Sequence, residues 1–109
     1  MAKEEGVVIM KLGILVNTDR HAGDVVGLTK AALSKGHEVI IFMMDAGNKL
    51  LHNSSVTGLC KETGVSMAFC AHSAEKLKVS TDGLPEKIHH GSQFDNATMN
   101  SKADRVIVL

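Results

Sequence analysis

Four short apolar runs decide what this chain can fold into: Val7-Val-Ile-Met-Lys-Leu-Gly-Ile-Leu-Val16, Glu38-Val-Ile-Ile-Phe-Met-Met44, Val65-Ser-Met-Ala-Phe69 and Asp104-Arg-Val-Ile-Val-Leu109. They are close to continuous rather than alternating, which suits strands covered on both faces, as in a parallel sheet. Parallel strands cannot be joined by tight turns and need crossovers of a dozen or more residues, usually helical. The intervening segments supply them. Asp24 to Lys35 carries Val25, Val26, Leu28, Ala32 and Leu33 at helical spacing, and Gly36 closes it. Asn53-Ser54-Ser55 caps a second helix with Val56, Leu59 and Cys60 inward and Gly64 at its end. Ser92 caps a last helix running to about Lys102, with Phe94, Ala97 and Thr98 inward. Asn48 to His52 fits no element clearly, and Leu84 to His90, which holds the only proline, carries a short strand around Ile88. The expected fold is a single α/β domain over residues 1–109: three layers, a mostly parallel sheet of four to five strands, helices on both faces.

Composition narrows the function more than it names one. Twelve basic and twelve acidic residues cancel, with no run of like charge, so nothing attracts nucleic acid or an anionic membrane. Three Phe and no Tyr or Trp leave little for base stacking. The apolar segment Gly6 to Val16 is interrupted by Lys11, lacks a basic leader and is too short to span a bilayer, so it reads neither as a signal peptide nor as an anchor. The expected location is the cytoplasm, with both cysteines reduced. Six histidines and two cysteines show no finger or HExxH spacing, and the loop after the first run lacks GxGxxG and GxxxxGK[ST], so neither metal nor cofactor is expected. His37 and His52 read as surface residues, and the six methionines as core filler.

The chemistry centres on Gly64-Val-Ser-Met-Ala-Phe-Cys-Ala-His-Ser-Ala-Glu-Lys-Leu77, where an apolar strand delivers Cys70 to the start of a short helix or turn. Unpaired backbone N–H groups at such a junction favour the thiolate, the form that acts as nucleophile. In an open α/β sheet reactive groups gather beyond the carboxyl ends of the strands. That rule collects Asn17, Asp19, Asp45, Cys70, His72, His89 and His90. A nearby imidazole from His72, His89 or His90 would take the thiol proton or pair with the thiolate, and Lys76 or Lys78 would add positive potential. The competing reading is that Cys70 simply packs, as buried cysteines commonly do.

Three local patterns in order resemble the DsrE/DsrF-like sulfur-relay family. They are Ala31-Ala-Leu-Ser-Lys-Gly-His-Glu-Val-Ile-Ile-Phe42 leading to Asp45-Ala-Gly47, then Gly64 through Cys70, and finally Gly91-Ser92 before a helix with Ala103-Asp-Arg-Val-Ile-Val108 after it. The resemblance covers nearly the whole chain beyond its first residues. It implies a flavodoxin-like domain in which the cysteine after the third strand carries a persulfide, a role that falls on Cys70 alone. It also implies assembly as a homo-oligomer (dimer, trimer or hexamer) and partner proteins that donate and accept sulfur. The sequence departs from the relay members after Cys70, where Ala-His-Ser-Ala-Glu-Lys replaces the arginine-glycine pair that often follows the reactive cysteine. The alternative function is a non-catalytic oligomeric scaffold or small-ligand binder of the same fold.

Overall fold

The computed structural model describes residues 8–109. Five strands form one sheet: β1 (Lys11–Val16), β2 (Glu38–Met43), β3 (Val65–Cys70), β4 (Ile88–Gly91) and β5 (Arg105–Val108), in the order β4-β3-β2-β1-β5. Every pairing is parallel. The helices are α1 (Ala22–Ser34), α2 (Ser54–Thr57), α3 (Ala71–Lys76) and α4 (Gln93–Lys102). The architecture is the three-layer, flavodoxin-like α/β fold. Its order differs from the flavodoxin order 2-1-3-4-5 in that the last strand, not the second, lies beyond β1.

That order dictates an uneven coat. Strands β1 to β4 step in one direction across the sheet, so right-handed crossovers put their connections on one face; β5 returns past β1, which sends α4 to the other. The core divides accordingly. Val25 of α1, Val56 of α2 and Ala74 of α3 pack with Ile14, Ile41, Met43, Met67 and Phe69 on the thick side. Met99 of α4 meets Phe42 and Cys70 on the thin side. Gly13 makes the seat for α4, since a Cβ there would stand 3.1–3.2 Å from Ala103, Met99 and Val106.

Local chemistry explains the element ends. Helix α1 stops in a paired turn in which Gly36 N–H donates to Leu33 O and His37 N–H to Ala32 O, with Gly36 at φ 83°. Helix α3 stops in the same way through Lys78 and Val79, but there a lysine holds φ 57°. The Asn53 side chain accepts from Ser55 and Val56 N–H, as expected of a cap. Its helix, however, runs only through Ser54–Thr57 before tightening into a 3-10 turn over Gly58–Lys61.

Four expectations need correction. The first apolar run is longer than its strand, which takes only Lys11–Val16, close to the expected 11–17: Val8 is exposed, and Val7 lies outside the described residues. The ambiguous Asn48–His52 belongs to a 3-10 segment, Asp45–His52, that buries Gly47, Asn48, Leu50 and Leu51. In α4 the inward residue is Met99, while Phe94 is 77% exposed and Ala97 also faces solvent, because only a narrow stripe of this helix touches the sheet. His37 is half-buried, with Nδ1 accepting from Met10 N–H at 3.0 Å.

Candidate functional site

Cys70 is the last residue of β3 and the N-cap of α3, paired in register with Gly91 at the end of β4. Its side chain lies on the thin side of the sheet beside Phe42 and Met99 and is 3% exposed. Burial acts most strongly on the thiol and pushes its pKa up. The Ser73 hydroxyl, the Ser73 N–H, the Gln93 amide and the His72 N–H donate to it and together outweigh burial, so the pKa lies below that of an ordinary thiol. Two of these donors are the backbone groups that a helix start leaves unpaired. Gln93 comes from elsewhere in the chain, from the first turn of α4. It is exposed, and its amide also meets Met44 Sδ at 3.7 Å.

A buried network holds this turn from behind. Asn48 Nδ2 donates to Cys70 O at 3.1 Å and to Ser73 Oγ at 3.0 Å, and Asp45 N–H donates to the same hydroxyl at 3.0 Å. Asp45 takes up a left-handed φ of 50°, a conformation aspartate tolerates better than most residues. Gly47 lies so close to β1 that a Cβ would fall on the Val16 carbonyl. The Asp45-Ala-Gly47 turn therefore presses Asn48 beneath the cysteine.

The other end of the site is set by α4. Ser92 Oγ accepts from Phe94 N–H at 3.2 Å, and Asp95 Oδ2 accepts from Ser92 N–H at 2.9 Å, the reciprocal arrangement of a capping box. Fixing this first turn fixes Gln93.

The histidines are distributed differently from the sequence expectation. His72 contributes its backbone N–H, and its side chain is exposed. His89 lies on the cysteine's face, but its Nε2 is 3.6 Å from Asp95 Oδ1. His90 points to the opposite face, where its ring lies 5.0 Å from that of Phe69. None of the three imidazoles is a hydrogen-bond partner of the sulfur. Strand alternation separates His89 from His90, and that much is readable from a β4 assignment. Asp45 serves through its backbone, and Asn17 and Asp19 lie past the end of β1, away from β3. Sequence reasoning missed Asn48 and Gln93, and gave Ser73 no chemical role. Its spacing of three from the cysteine was the available signal.

Beside the site, an open groove of about 240 Å³ runs over the thin side of the sheet, walled by Ile40, Ser66, Ala68, His89, Thr98 and Lys102. Cys70 is not among its walls. Among the described residues, no three His, Cys, Asp or Glu side chains converge as metal ligands, and no helix is long and apolar enough to cross a membrane.

The crystal structure of the ychN protein from E. coli superposes on this chain with a TM-score of 0.69, covering 94% of this chain and 100% of that one at 11% sequence identity. The two chains share one α/β fold. No family model and no curated protein matches the sequence. At that identity the likeness speaks for the fold alone and leaves the chemistry to this chain's own residues.

Proposed function

We propose that this DsrE/F-like protein is a sulfur carrier that takes up and releases a persulfide sulfur at Cys70. The observation that carries the reading is the set of four donors turned toward a single sulfur at the end of β3. A purely packed thiol has no use for them. In the forward step the Cys70 thiolate attacks the outer sulfur of a donor persulfide, R–S–SH. A new S–S bond forms, the donor's S–S bond breaks, and R–S⁻ leaves with the bonding pair, giving Cys70–S–SH. An acceptor thiolate then attacks the outer sulfur in the same way and regenerates the Cys70 thiolate. Sulfur passes at constant oxidation level, so no external oxidant is needed. The donors stabilise Cys70 both as nucleophile and as leaving group. Of the two side chains in the set, Ser73 is buried and Gln93 exposed, so donor and acceptor proteins approach from the side of Gln93.

The same reading includes a homo-oligomer in the cytoplasm, where unpaired thiols persist. Both Cys60 and Cys70 are free. The thin side of the sheet, with its groove and the 77%-exposed Phe94, is the surface a second copy would cover. The rival reading, a scaffold in which Cys70 only packs, draws on its 3% exposure beside Phe42 and Met99.

Incubation with a small persulfide donor, followed by peptide mass spectrometry, separates the two. Sulfur carriage adds one sulfur at Cys70, none at Cys60, which is as buried as Cys70, and none in a folded Cys70→Ser variant. A native protein that takes up no sulfur at Cys70, or takes it up equally at Cys60, belongs to the scaffold reading. Light scattering checks the assembly: an oligomer is expected, and a monomer removes that part.

A further inference from the structure

Asn48 is fully buried, yet its Oδ1 has no hydrogen-bond partner among the described residues. A buried acceptor left empty is a cost that an apolar residue of similar size would avoid. The other end of the amide is fully used: Nδ2 gives one proton to Cys70 O and the other to Ser73 Oγ. The orientation is fixed by chemistry, because Cys70 O can only accept and would repel Oδ1.

The consequence falls on Ser73, which is 6% exposed. Its Oγ accepts from Asn48 Nδ2 and from Asp45 N–H, which fills both acceptor positions. One proton remains for it to donate. The near candidates both belong to Cys70: the carbonyl, to which it donates at a long 3.3 Å and which Asn48 already serves, and the sulfur. We propose that Asn48 is a positioning residue for Cys70: by occupying the Cys70 carbonyl and filling Ser73 Oγ, it commits the Ser73 hydroxyl proton to the sulfur. The lowered pKa of the thiol, in which the Ser73 hydroxyl is the strongest favourable influence, agrees with this. The titratable side chains on the surrounding elements are Asp45, Lys49, His52, His72, Glu75, Lys76, His89, His90, Asp95 and Lys102, and none of them is a hydrogen-bond partner of the sulfur. The inference deepens the sulfur-carrier reading by naming what holds the thiolate ready.

The test is a titration of thiolate ultraviolet absorbance in the full chain carrying Cys60→Ala, which leaves Cys70 as its only thiol. This readout needs no reagent to reach the sulfur. Ser73→Ala removes one hydrogen bond to a charged group and should lower the thiolate fraction at neutral pH about tenfold. Asn48→Ala should move the titration in the same direction, and Ser73→Thr, which keeps the hydroxyl, should restore the parent curve. The double variant Asn48→Ala/Ser73→Ala should titrate like Ser73→Ala alone, because Asn48 acts through that hydroxyl. An unmoved Asn48→Ala curve, or a double variant whose effects add, overturns the inference. If Asn48→Ala does not fold, Asn48→Ser takes its place with the same expectations. The sulfur-carrier reading fails separately, on persulfide uptake by the parent chain, so the two outcomes are independent.

Discussion

Gln93 and Cys70 meet across the sheet's thin side, with an amide from the first turn of α4 donating to a sulfur at the end of β3. A residue of the fourth helix thereby completes the environment of a thiol 23 positions earlier in the chain. Gln93→Ala should raise the Cys70 pKa toward that of an ordinary thiol, and the pH profile of its alkylation should move upward. Ser92→Ala, by removing the cap that fixes this turn, should cost about 1 kcal/mol in denaturant unfolding and move the profile in the same direction by a smaller amount.

Stability should depend on pH through the same thiol. Its folded pKa is lowered, so the unfolded chain holds the proton more tightly. The contribution is therefore fully present above the unfolded thiol pKa, about 8.5, and is lost as pH falls through the folded value. The stability difference between the parent and Cys70→Ser should widen in the parent's favour as pH rises from neutral into that range, as measured by urea unfolding at fixed ionic strength.

Gly47→Ala should be among the most damaging single-methyl changes in the chain. The new Cβ would collide with backbone of β1 at Val16, which cannot swing aside as a side chain would. The expected cost is about 3 kcal/mol, the upper end for overpacking. Because the same turn carries Asp45 and Asn48, the folded remainder should also show a less acidic Cys70.

The two matching helix ends predict opposite responses. Lys78 bears a left-handed φ of 57° where α1 uses Gly36 at 83°. Lys78→Gly should stabilise the fold by about 1 kcal/mol and Gly36→Lys should destabilise it by a similar amount, both read from thermal or urea midpoints.

The sheet was legible because strands covered on both faces leave unbroken apolar runs, and three of the four runs end within a residue or two of their observed limits. The first run did not: Val8 to Met10 are apolar but precede the pairing with β2, which begins at Lys11↔Glu38. Gly36, Asn53 and Ser92 announced their helix ends because each residue type solves a known terminal problem. Lys78 performs Gly36's task without its signature, so nothing in the sequence marked it. The cysteine was found from its place between strand and helix. Its partners were hidden because Asn48 and Gln93 reach it through tertiary contact, one from a 3-10 segment that fitted no element and one from the first turn of α4, at a position to which no motif pointed. The three imidazoles are separated by placement: His72 faces solvent from α3, His89 shares the cysteine's face but lies 3.6 Å from Asp95, and His90 occupies the opposite face against Phe69.

The uneven coat of the sheet gives synthesis of this protein a direction. Strand β1 leaves the ribosome long before one of its two neighbours, β5: Lys11 N–H is held by Asp104, 93 residues away. Domains fold as units during synthesis, and long-range parallel pairing forms late. Until the C-terminal segment emerges, β1 keeps an open edge and the Phe42 side of the sheet lacks Met99 to cover it. Gln93 arrives with that same segment, so the sulfur of Cys70 acquires its full set of donors only once α4 has emerged, and a product cut short before α4 would carry the cysteine without its tuning.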